Sequence, residues 1–148
     1  MWIAMLAITA PWRGVRLYEN RVTWIPAAIL FCAGLILYKL SHNQFSLEQL
    51  GGLPEIVRGH RQQSLITGGV RARVRHPIYL AHLCEMLAWS VGSGLAVCWA
   101  LTAFAIATGA VMIKMEEEEL KNRFGEAYRQ YQSAVPAILP RTKLNKRF

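Results

Sequence analysis

The chain has 148 residues, 53% of them apolar, a formal net charge of +8 and a mean hydropathy of +0.22. That is room for one compact unit, but too apolar for an ordinary soluble domain, so the membrane class comes first. Charged residues avoid several long windows and crowd into short ones, the pattern of membrane spans with basic flanks, which argues against nucleic acid as the partner. Cys32, Cys84 and Cys98 each sit in an apolar run, with neither a CxxC nor a neighbouring His pattern. Buried thiols are expected, with no disulfide framework and no zinc site.

In chain order, Met1 to Trp12 is uncharged and bracketed by Trp2 and Trp12, which suits a short amino-terminal or interfacial helix. No basic residue precedes it, so a signal peptide is not indicated. Val22 to Tyr38 and Leu95 to Ile113 are charge-free runs of 17 and 19 residues, close to the ~20 needed to cross a hydrocarbon core. Between them, Ile78 to Val91 is apolar but carries His82 and Glu85, and Gly92-Ser93-Gly94 follows it as a tight turn. The expected fold class is therefore all-α, an integral membrane protein of three full transmembrane helices. A short amino-terminal apolar helix and a C-terminal cytosolic helix complete it, in a single domain over 1–148.

Topology follows from the basic residues. If the Val22 to Tyr38 helix leads to one side, that side receives Lys39, five Arg of 41–76 and eight basic residues of 114–147, fourteen of the 17 Lys and Arg. The positive-inside tendency places the 41–76 segment and the C-terminus together in the cytosol. The tail begins as a helix whose apolar stripe is Leu120, Phe124, Ala127, Tyr128 and Tyr131, with Glu117–Lys121 and Glu119–Arg123 as i,i+4 pairs. Pro136 and Pro140 end it, and the basic end from Arg141 faces lipid.

Two segments carry chemistry. In the first, Gly68-Gly69 and the alternating Arg71, Arg73 and Arg75 precede His76-Pro77-Ile78-Tyr79. Pro77 suits a first helical turn, and a helix N-terminus adds free backbone donors, so an anionic group is expected there unless the arginines serve only topology. The second is the run Glu116 to Glu119. Glu116 lies four residues before Leu120 and shares its stripe, which aims the carboxylate at packed neighbours. There it needs a cation, either an arginine of 71–75 or the amino group of a ligand.

Arg75-His76-Pro77-Ile78-Tyr79, followed after one hairpin by Glu116-Glu117, Leu120, Phe124-Gly125, Tyr128, Tyr131 and Val135-Pro136, resembles the paired motifs RHPxY and EExxLxxxFGxxYxxY...VP. These are the motifs of the isoprenylcysteine carboxyl methyltransferase and phospholipid N-methyltransferase superfamily, and the resemblance covers about residues 65–141, the expected cofactor-binding core. It implies S-adenosylmethionine as cofactor, with His76 and Tyr79 in contact with it and Glu116 or Glu117 on its amino group. The chemistry suits the residue types: an acid for the amino group, Arg75 with His76 for the carboxylate, Tyr79 for the sulfonium, and the Leu120 and Phe124 stripe for the adenine. Ala81 and Ala137 stand where the family more often has glycine and arginine.

His82 and Glu85 share one helix face at spacing three. They are either a structural hydrogen-bonded pair or the catalytic pair, positioning the nucleophile or taking its proton. The acceptor expected from such a chain is a lipid or other amphiphile entering from the bilayer. It would be a lipid amine such as phosphatidylethanolamine, an isoprenylcysteine carboxylate or a small thiol. The competing readings are a non-catalytic membrane partner and a sterol-reductase-like oxidoreductase.

Overall fold

The computed structural model describes residues 14–42 and 65–140. The expected amino-terminal helix, most of the 41–76 loop and the basic end from Arg141 lie outside the described residues. Four α-helices occur among those described: α1 (Trp24–His42), α2 (Pro77–Ser93), α3 (Ala96–Phe124) and α4 (Glu126–Ala134). Two 3-10 turns, Arg21–Thr23 and Gly69–Ala72, precede α1 and α2 respectively. Extended structure among the described residues is confined to an isolated antiparallel bridge, Arg16 with Leu95, so the described part of the chain is all-helical as expected.

Two stretches, Arg21–His42 and Ala96–Phe124, are helical, long and apolar enough to cross a membrane, and few of their residues are buried by protein. Helix α2 has 17 residues, which at ~1.5 Å each spans about 26 Å, short of the ~30 Å hydrocarbon core. The expectation of three full crossings therefore stands for two. Helix α3 runs for 29 residues, past the apolar stretch ending at Ile113 and through the acidic run.

The residues divide into two compact units, Met1–Leu35 with Ala81–Met112, and Ile36–Leu80 with Ile113–Phe148. In the first, Asn20 caps the turn that opens α1, its Oδ1 accepting from the Val22 N–H at 2.9 Å. At the α2 to α3 turn Gly94 takes φ +64, and a side chain there would run into Tyr18, so only glycine fits. The Tyr18 hydroxyl donates to the carbonyls of Ser90 and Val91 at 3.2 and 2.9 Å, near the end of α2, where the Ser90 carbonyl also accepts from the Gly94 N–H. Helices α2 and α3 are further joined by the buried Ser90 and Thr102 hydroxyls, 2.9 Å apart, a polar tie between apolar helices. Cys84 and Cys98 are half-buried, but Cys32 is exposed on α1, which corrects the expectation of three buried thiols.

In the second unit the expected continuous tail helix is broken. Gly125 adopts φ +56 and ψ −128, a region open essentially to glycine, and α4 starts anew beyond it. The break re-aims the stripe: Tyr128 is fully buried and Val135 buried, whereas Ala127 is exposed and Leu120, Phe124 and Tyr131 are half-buried.

Candidate functional site

All six residues assigned to cofactor binding fall in the second unit, and both residues assigned to catalysis fall in the first. The cluster is built on the start of α2 and the polar end of α3. Val74, Arg75, His76 and Pro77 are buried, because the segment after α4 lies against them. The N–H groups of Arg75 and His76 donate to the carbonyls of Pro136 and Ala137, each at 2.9 Å. The backbone donors of the two residues just before α2 are thus used by the chain itself.

Arg75 is the hub. Its Nε donates to Glu117 Oε1 at 2.9 Å and its Nη2 to the same oxygen. Its Nη1 donates to the carbonyl of Gln132 at 3.0 Å and to that of Val135. The Gln132 amide donates to Glu117 Oε2 at 2.7 Å, and the Tyr131 hydroxyl to the Arg71 carbonyl at 2.7 Å. Glu117 is therefore engaged at both oxygens, with its side chain only 13% exposed.

Glu116 differs. His76 stands between the two acids, Nε2 3.2 Å from Glu117 Oε1 and Nδ1 3.5 Å from Glu116 Oε2, with its ring edge-on to Tyr79, centroids 5.7 Å apart. The Glu116 side chain is 43% exposed. The expectation that its stripe position packs it away is therefore corrected: Glu117 turns inward and Glu116 stays reachable. Glu118 and Glu119 are exposed, as a solvated face should be. Since Glu117 is occupied, Lys121 pairs with Glu118 at 2.9 Å instead, while Arg123 pairs with Glu119 at 2.6 Å.

Both acids lie beyond the apolar stretch of α3, and both are held below the usual carboxylate range. For Glu116 the hydrogen bond from His76 leads, opposed by burial and helped by the charges of His76 and Arg71 and a hydrogen bond from Tyr79. For Glu117 burial pushes upward, but hydrogen bonds from Arg75 and His76 and their charges outweigh it. Burial, then the Glu117 charge, pushes the Tyr128 hydroxyl up to about 12. At neutral pH the cluster thus holds two ionised carboxylates, Glu117 bound to Arg75 and Glu116 beside His76 and Tyr79 with part of its side chain exposed.

Leu120 is half-buried on α3, His82 is exposed and Glu85 half-buried on α2. The side-chain amide of Gln132 and the main chain of 135–137 were not foreseen as parts of the cluster. Their contribution depends on how the chain returns after α4, for which no spacing rule gives a signal.

Membrane-length helices, with a buried guanidinium, imidazole and carboxylate cluster joining two distant motifs, define a helical membrane-type protein with a polar site assembled from both. Comparison with known proteins adds a likeness over part of the chain. Protein-S-isoprenylcysteine O-methyltransferase B of Arabidopsis thaliana is 35% identical over 89 residues, 57% of this chain and 43% of that protein. Protein-S-isoprenylcysteine O-methyltransferase A of the same plant is 36% identical over 81 residues, 51% of this chain and 39% of that protein. No family model matches. The chain spans less than half the length of these relatives, and over about half of its own length it resembles the isoprenylcysteine methyltransferase superfamily that its two motifs indicate.

Proposed function

We propose that this chain is an S-adenosylmethionine-dependent methyltransferase acting at the membrane surface, multi-pass, with its cofactor site and C-terminus facing the cytosol. The observation that carries the reading is the accessible, ionised Glu116 beside His76 and Tyr79. An ionised acid that stays partly exposed beside His76 and Tyr79 suits the amino group of S-adenosylmethionine, and Tyr79 offers an electron-rich ring to a sulfonium. Glu117 and Arg75, both engaged within the chain, hold this surface in place, with Arg75 a positioning residue and Leu120 part of the apolar side. When bound, the cofactor supplies an electrophilic methyl group, which needs alignment with the acceptor in a dry setting.

The acceptor in this reading is amphiphilic or apolar and enters from the bilayer, and His82 and Glu85, one to two turns beyond Tyr79 on α2, handle it. The relatives, named as isoprenylcysteine O-methyltransferases, support methyl transfer in general. Calorimetric titration of the solubilised protein with S-adenosylhomocysteine tests the cofactor site. Glu116→Gln should weaken binding at least ~tenfold, the scale of one lost charge-assisted contact, and Glu118→Gln should leave it unchanged. Equal affinities in the two variants would reduce the acidic run to a surface feature. Competition with a nicotinamide dinucleotide separates the sterol-reductase-like alternative, and absence of any binding would favour the non-catalytic partner.

A further inference from the structure

Gln132 is specified by neither motif, yet it meets the cluster at both of its ends. Its side-chain amide donates to Glu117 Oε2 at 2.7 Å, and its carbonyl accepts from Arg75 Nη1 at 3.0 Å. The other Glu117 oxygen accepts from Arg75 Nε at 2.9 Å and lies 3.2 Å from His76 Nε2. A carboxylate is planar, so a donor held on Oε2 fixes the rotation that decides where Oε1 stands. From Oε1 the contacts run on through the buried His76 ring. Its Nδ1 is 3.5 Å from Glu116 Oε2, and its edge meets Tyr79 with centroids 5.7 Å apart. The amide of Gln132 therefore begins a chain of side chains that ends on Glu116 and Tyr79, and every member lies in the second unit. A neutral donor suits this place: a lysine would set a second cation against Arg75, and an acid would face the Glu117 carboxylate.

We infer that Gln132 is a positioning residue of the ligand site: acting through Glu117 and His76, its amide sets the placement of Glu116 and Tyr79 and so the affinity for a ligand that carries a cation. The inference rests on the S-adenosylmethionine reading above. The charged and titratable groups facing Glu117 are Arg75 and His76 from the start of α2 and Tyr128 from α4, with Glu116 beside it on α3.

The test uses the full chain in neutral detergent, titrated calorimetrically with S-adenosylhomocysteine. Gln132→Met, which keeps the stem and removes the donor, should weaken binding at least ~threefold. That is less than the ~tenfold expected for Glu116→Gln, because the effect is passed on through two side chains. Gln130→Met, the same change at an exposed place on α4, should leave binding within about twofold. Gln132→Glu gives a readout that packing alone would not move. Its carboxyl faces the Glu117 carboxylate, and two acids so close retain a shared proton to higher pH, which restores a donor where the amide stood. Its affinity relative to wild type at the same pH should therefore recover at least ~threefold between about pH 8 and about pH 6, while Gln132→Met stays weak at both. Wild-type affinity in Gln132→Met, or a Gln132→Glu ratio that does not move with pH, would overturn the inference even if both proteins melt earlier. Should Gln132→Met not fold, the pH dependence of Gln132→Glu decides alone. If the wild-type protein does not bind S-adenosylhomocysteine, the methyltransferase reading fails and takes this inference with it; if it binds and the Gln132 variants bind alike, the inference fails and the reading stands.

Discussion

Removing the Arg75 guanidinium is the most informative perturbation of the cluster. Arg75→Met keeps the length of the stem but strips every guanidinium donor from Glu117 and from the carbonyls of Gln132 and Val135, leaving Glu117 the Gln132 amide and His76. With side chains only 8% and 13% exposed, solvent replaces little of what is lost. Breaking one partner of a buried pair costs about 3–5 kcal/mol because the other charge stays buried. For a chain of this size that corresponds to a drop of roughly 10 °C in Tm. Glu117→Leu alone should cost a similar amount. The double variant should lose clearly less than the sum, since no unpaired charge remains. Lys121→Met, which breaks the pair with the exposed Glu118, should cost well under ~1 kcal/mol. Thermal unfolding of the four detergent-solubilised variants reads all of this. An Arg75→Met protein that melts with wild type, or additive losses in the double variant, would refute the claim that the pair ties α4 and the 135–137 segment to the start of α2.

Acid should weaken the same cluster. Glu116 and Glu117 have folded-state pKa values below the ordinary 4.5, so their stabilisation is present above that value and is lost as pH falls through the depressed one. Unfolding measured from pH 6 downward should therefore steepen below about 4.5, less so in Glu117→Gln, and an identical profile for the variant would contradict the pairing. Gly125→Ala adds no steric clash but forces a side chain into φ +56, which should cost about 1–3 kcal/mol in the same melts; a neutral result would mean α3 and α4 rejoin without the glycine. Cysteine labelling should find position 59 and the C-terminus on one face of the membrane, because fourteen of the 17 basic residues gather on that side in the expected topology. Labelling from opposite faces would place the two motif segments in different compartments.

What could be read from the sequence follows the range of the forces involved. The helices of Val22 to Tyr38 and Leu95 to Ile113 announce themselves because the absence of charge over a bilayer's width is a local property of the chain. Pro77 at the first turn of α2 and the turn at Gly94 are likewise local, fixed by backbone geometry at single residues, although α2 runs on through Gly92 and Ser93, which the sequence reading gave to the turn. The motif pair brought Arg75, His76, Tyr79, Glu116, Glu117 and Leu120 together on paper. Which acid turns inward was not legible, because the stripe was drawn from Leu120 through Tyr131 as one unbroken helix. Gly125 breaks it, and α4 then returns the Gln132 and Val135 carbonyls to the Arg75 guanidinium, which fixes Glu117 as the guanidinium's partner and leaves Glu116 outward. The roles of the two acids are thus decided by a contact across 42 residues of chain, set by a glycine that belongs to neither motif's charged core. A carboxylate's capacity to hold a ligand at this site depends on what the chain has already given to its neighbour.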